Sequence, residues 1–116
     1  MTTQQIIEFE AKDTFTLATV NAESLTDDQV INQFCRTLTA YAEINPGIKL
    51  CLNLIHVEFC SIAVLTALFN IQLRLKREQG SMRLCGVHGN VRKVLKLAEM
   101  DKVFRISTSR HLHPAA

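Results

Sequence analysis

Residues Val57 to Leu68 read VEFCSIAVLTAL, and this stretch decides the fold. The part up to Cys60 has the apolar, β-favouring character of a buried strand, and from Ser61 onward the apolar positions follow a helical period. Ser61 stands where the helix must begin. Its side-chain oxygen can cap a first-turn backbone N–H for about 1 kcal/mol. The next residue, Ile62, places a bulky apolar side chain at the rim, so the strand-to-helix junction is apolar on more than one side.

Working outward, Lys49 to Asn53 and Met82 to Cys85 are short apolar runs flanked by turn residues. A helix from Ser61 to Gln79, stopped at Gly80, separates them, which is the pattern of buried parallel strands joined by a crossover. The basic last turn of that helix suits the negative end of its dipole. Upstream, Ile6 to Glu10 and Thr14 to Val20 form a hairpin-like opening around Lys12 and Asp13. Thr26 followed by Gln29 is a capping-box signature for a helix carrying Val30, Ile31, Phe34, Leu38, Tyr41 and Ala42 inward, until Asn45, Pro46 and Gly47 stop it. Downstream, a loop at Gly86 to Asn90 leads to a helix at about Val91 to Ala98 and a last strand at Val103 to Ile106. The order β-β-α-β-α-β-α-β predicts one small α/β domain over 1–116, with a mixed β-sheet flanked by helices, a core at about 4–107 and a loose tail at 108–116.

Length and composition agree. The 116 residues are 47% hydrophobic and 21% charged, with four glycines and two prolines, as in a folded soluble domain. Asn53, His56, Glu58, Asn70 and Gln72 interrupt every apolar run, so membrane insertion is not expected. With no basic leader or long apolar core in MTTQQIIEFE, a cytoplasmic location is expected. Cys35, Cys51, Cys60 and Cys85 contain no C-x-x-C pair and read as reduced core thiols. Residues 1 to 59 hold three Lys or Arg against eight acids, net −5, and residues 60 to 116 hold ten against three, net +7. The basic side chains are spread over two helices without interleaved aromatics, so they read as solvated faces and nucleic acid is not an expected partner.

The second helix carries two apolar lines. At about 100° per residue, Val64, Leu68, Ile71 and Leu75, with Leu65 at the edge, form the face that packs on the sheet. Ile62, Phe69 and Leu73, with Thr66 and Asn70 beside them, form a second line that the same sheet cannot bury, and it reads as a docking ridge. His56 and His88 both follow predicted strands and are expected near the same sheet edge as Cys60. No recognised ligand spacing joins them, so no metal site is expected. The segment Gly86-Val87-His88-Gly89-Asn90 lacks both the G-x-G-x-x-G and the G-K-[ST] arrangements of phosphate loops. Neither a serine–histidine–acid set nor paired carboxylates mark the junction, so catalytic residues and cofactors are not expected.

The segment Lys49 to Ser107 is similar to a STAS domain, the module of bacterial anti-sigma factor antagonists, stressosome subunits and the cytoplasmic tails of sulphate transporters. The resemblance rests on Leu50, Leu52 and Leu54, then Val57, Phe59, Leu65 and Leu68, then Gly80, Leu84, Gly86 and Val87. It continues through Val91, Val94, Leu95 and the closing run Met100-Asp101-Lys102-Val103-Phe104. Against the family's D-S-S-G, Ser61 stands at the aspartate, Ile62 at the phosphoacceptor serine, Ala63 at the second serine and Val64 at the glycine. In antagonists, as the resemblance implies, a kinase-type anti-sigma factor phosphorylates that serine, and a charge of about −1.5 to −2 breaks the complex. Isoleucine has no hydroxyl to phosphorylate. Ser61 is a displaced candidate acceptor whose own geometry favours capping.

The resemblance therefore implies a non-enzymatic, protein-binding domain of regulatory type, with an anti-sigma factor bearing a histidine-kinase-like ATPase domain as one partner. A homodimer is compatible with it. The residues expected to meet the partner are Ser61, Ile62, Thr66, Phe69, Leu73, His56 and His88. The alternatives are a STAS component of a lipid or small-molecule transport complex and a stressosome-like scaffold subunit.

Overall fold

The computed structural model describes residues 5–107, so the expected tail at 108–116 lies outside the described residues. β1 (Ile7–Ala11) and β2 (Thr16–Val20) form the expected antiparallel hairpin, with Ile7 opposite Val20 and Ala11 opposite Thr16. β4 (Lys49–Asn53) lies parallel to β2, β6 (Ser81–Cys85) parallel to β4, and β7 (Arg105–Ile106) parallel to β6. The result is a mixed five-stranded sheet ordered β1-β2-β4-β6-β7, with α1 (Asp28–Ile44), α2 (Ile62–Arg77) and α3 (Gly89–Leu97) as crossovers.

The register sorts side chains onto two faces, because successive residues in a strand point oppositely. Ile7, Ala18, Val20, Leu50, Leu52, Met82 and Leu84 share one face and are buried. They join Phe34 and Leu38 of α1, Val64, Leu68, Ile71 and Leu75 of α2, and Val91 and Leu95 of α3 in one core. At about 25 cal/mol per Å² of apolar surface removed from water, this layer is the main favourable contribution to folding. The other face carries Glu8, Thr19, Cys51, Asn53, Arg83 and Cys85.

Four local expectations need correction. The stretch leading to Cys60 does not continue a central strand: after β4 the chain turns at Ile55 and His56, and only Phe59–Cys60 (β5) pairs, with Ser24–Leu25 (β3), in a separate two-stranded ladder. Partner strands, not local composition, decide this. The cap of α1 is Asp27 rather than Thr26. Its carboxylate accepts from the N–H groups of Gln29 at 2.8 Å and Val30 at 3.3 Å, while the Thr26 hydroxyl lies 2.8 Å from that of Ser24. A full negative charge at the positive end of the helix outcompetes a hydroxyl there.

At the other end of α2 the left-handed residue is Gln79, with φ 65°, not Gly80. The N–H of Gly80 donates to Leu75 at 2.8 Å and that of Gln79 to Lys76 at 3.0 Å, the paired closure of a Schellman motif. Gly80 is needed for a different reason: a Cβ there would run into the carbonyl oxygen of Ile48. Finally, the last strand is shorter than expected, because Val103 remains in the preceding turn.

Candidate functional site

The junction at the start of α2 is built from three short segments. The backbone of Ser61 is extended, its N–H donates to Leu25 at 3.2 Å, and its hydroxyl oxygen accepts from the Val64 N–H at 3.4 Å. Ser61 is thus the N-cap of α2. Ile62 follows as the first helical residue and is 55% exposed. Ile55, in the turn after β4, and Phe59, in β5, are 42% and 52% exposed. Three large apolar side chains therefore lie on the connection from β4 into α2.

That connection is tied down. The Asn53 carboxamide oxygen accepts from the Ile55 N–H at 3.1 Å, and His88 Nε2 lies 2.9 Å from the Ile55 carbonyl oxygen. His88 thereby links the β6–α3 turn to the β4–α2 connection, while His56 is exposed in the turn beside it. Gly86 completes the arrangement. Its φ is 70°, and a Cβ would stand 2.5 Å from the Asn53 side-chain oxygen and 2.7 Å from the Ile55 nitrogen. Exposed Glu23 and Glu58 border the same surface, with the Glu58 N–H donating to the Glu23 carbonyl at 2.7 Å.

The second apolar line of α2 is divided by its surroundings. Ile62 and Thr66 are exposed, with the Thr66 hydroxyl donating to the Ile62 carbonyl at 3.2 Å, and Leu73 is 38% exposed. Phe69, by contrast, is half-buried against Phe104, ring centres 6.5 Å apart and nearly perpendicular. The segment before β7 covers the middle of the line, so no continuous ridge runs from Ile62 to Leu73. On the same side Gln72 is buried, and its Nε2 donates to the Val103 carbonyl at 2.9 Å.

Sequence reasoning did not select Ile55 or Phe59 for this surface, although Phe59 is two residues before Ser61. It also missed a thiol pair: Cys51 and Cys85, on neighbouring strands, hold their sulfurs 2.8 Å apart. The hydrogen bond from Cys85 and the nearby Arg83 move the Cys51 thiol below its usual range, and the same hydrogen bond with burial moves Cys85 far above it. Burial raises Cys35 and Cys60. No described helix is long and apolar enough to cross a membrane.

Comparison with known proteins places the fold in a family. Residues 7–113 match the family model of the STAS domain, and the chain belongs to that family. Several solved structures share its fold. An anti-sigma-factor antagonist (STAS) domain protein from Planctomyces limnophilus superposes with a TM-score of 0.77 at 22% identity, covering 90% of this chain and 91% of that one. The anti-sigma factor antagonist SpoIIAA in its unphosphorylated form gives 0.72 at 13% identity, covering 91% of each chain. A Thermotoga maritima protein gives 0.71 at 18%, covering 86% and 84%. No curated protein matches the chain in sequence.

Proposed function

We propose that this chain is a non-enzymatic protein-binding STAS domain, resembling an anti-sigma factor antagonist, that docks through the start of α2 and the turns beside it. The observation that carries the reading is Ile62, 55% exposed at the first position of α2, with Ile55 and Phe59 exposed on the connection that precedes it. Burying one such side chain against a partner contributes about 1.5–3 kcal/mol. The acids Glu23 and Glu58 at the border favour a partner whose apolar patch is edged by Lys or Arg. The structural relatives described as anti-sigma factor antagonists support an anti-sigma factor as the partner class; a kinase-like ATPase domain in that partner and a transcription-regulatory role are part of the same proposal.

Release by phosphorylation at the usual position is absent in this reading, since Ile62 replaces the acceptor hydroxyl. The half-buried Ser61 oxygen serves the helix cap. The docking test compares Ile62→Asp with Leu97→Asp, which alters an 82% exposed apolar side chain on α3. A partner captured by the parent and by Leu97→Asp but lost from Ile62→Asp supports the surface. A partner held equally by all three removes it. Phosphorylation that persists in Ser61→Ala would eliminate Ser61 as the acceptor.

A further inference from the structure

A cavity of about 530 Å³ lies toward the other end of α2 from Ile62, where α2 would extend about 24 Å at 1.5 Å per residue. It sits at the amino ends of the parallel strands. Four cationic side chains line it: Lys49 opens β4, Arg83 lies within β6, Arg105 opens β7, and Lys76 stands in the last turn of α2. Among the described residues no carboxylate lines the cavity. The ion pairs among the described residues, Lys12 with Glu10 and Arg74 with Glu43, use none of the four.

Cations on a convex surface spread into solvent, but these four line one concavity at the edge of the sheet, Lys49, Arg83 and Arg105 from the face away from α2 and Lys76 from α2 itself, and their fields add there. The walls are not wholly polar, since Phe15 and Val103 contribute apolar surface. The Arg83 guanidinium stands 5.9 Å from the centre of the Phe15 ring, within the range of a cation–π contact that holds it beside the cavity. The volume falls among small-molecule sites, which span about 300–1,000 Å³. A nucleic-acid track would need an extended groove with several stacking aromatics, and this cavity has one.

We infer that the cavity binds a small organic phosphate: a phosphomonoester dianion drawn by Lys49, Lys76, Arg83 and Arg105, with an apolar body resting against Phe15 and Val103. Arginine and lysine make their strongest hydrogen bonds to such anions. Binding also removes the mutual repulsion of the four cations, so the ligand stabilises the fold by mass action. The site is independent of the docking surface at Ile62.

The test is amide chemical-shift mapping on the full chain with phenyl phosphate, inorganic phosphate and phenol as separate probes. Phenyl phosphate is expected to saturate, about tenfold more tightly than either half alone, with shifts at Phe15, Lys49, Ser81 to Arg83 and Arg105. Arg83→Gln and Lys49→Gln each weaken it about threefold to tenfold while leaving the melting temperature unchanged or higher, which a merely structural role for these side chains would not do. Ile62→Asp leaves this binding unchanged, so the two proposals fail separately. No saturation by about 10 mM, shifts centred elsewhere, affinity indifferent to both cation variants, or equal binding of inorganic phosphate would overturn the inference. So would binding of a single-stranded oligonucleotide without binding of phenyl phosphate.

Discussion

Cys51 and Cys85 hold their sulfur atoms 2.8 Å apart across the β4–β6 ladder, although 34 residues separate them in sequence. The register makes the pair: Cys51 lies opposite Arg83 and Asn53 opposite Cys85, so the thiols occupy a diagonal on one face of the sheet. One proton shared between two sulfurs eases ionisation of Cys51 and opposes that of Cys85.

This pair predicts how stability varies with pH. The contribution of Cys51, whose thiol is lowered, is present above the unfolded thiol value and is lost as pH falls through its folded one. Cys85, Cys35 and Cys60 are raised from the ordinary 9.0, so their contribution is complete below that value. Above it the unfolded chain releases protons that the folded chain keeps, and stability falls with pH. The limiting slope is about 1.4 kcal/mol per pH unit for each thiol held protonated. Denaturant unfolding in reducing buffer between about pH 7.5 and pH 10 should show the decline, and replacing Cys51 and Cys85 together by Ala should make it shallower. An unchanged slope in that variant would remove the pair from the explanation.

Ser61→Ala removes the side-chain cap of α2 and should cost about 1 kcal/mol, measured as a lowered denaturation midpoint with unchanged m-value. Asp27→Ala should cost about the same or somewhat more, because it removes two hydrogen bonds from a charged acceptor at the start of α1. A stability unaffected by Ser61→Ala would mean that the 3.4 Å contact with Val64 is too long to matter.

Gly80→Ala should destabilise by about 1–3 kcal/mol, since the added methyl meets the backbone carbonyl of Ile48, which has no rotamer to change. Gly47→Ala is costly for a different reason: its positive φ of 82° imposes backbone strain, while its nearest neighbour is at an ordinary 3.6 Å. A loss below about 0.5 kcal/mol at Gly80 in thermal unfolding would contradict the close approach.

Phe104→Ala should cost about 3–5 kcal/mol, because the ring is 5% exposed and packs against Phe69. Ile62→Ala should change stability by no more than about 0.5 kcal/mol. Phe69→Ala should fall between them. Calorimetry that ranked Phe69→Ala with Ile62→Ala would return Phe69 to the solvent-facing line.

Much of the architecture was legible in the sequence because its cues are local. Leu50, Leu52, Met82 and Leu84 alternate within short apolar runs, and Val64, Leu68, Ile71 and Leu75 repeat at helical spacing, so strands, helices and their order followed from periodicity. Ser61 as the start of the second helix followed from its hydroxyl just ahead of that repeat. The exposed surface at the start of α2 was legible only in part: the exposure of Ile62 was anticipated, but Phe69 was counted as exposed and Phe59 was passed over. Whether an apolar side chain is covered depends on what folds over it, and Phe104 comes from 35 residues further along the chain.

By itself the sequence determined the α/β class, the crossover helices and the cap at Ser61, since each depends on neighbours within a few residues. Tertiary structure alone decided the short β3–β5 ladder, the burial of Gln72 and Phe69, the Cys51–Cys85 contact and the placement of Lys49, Lys76, Arg83 and Arg105 around one cavity. Those features depend on strand register and on which elements meet, and contacts between distant residues leave no periodicity in a single chain.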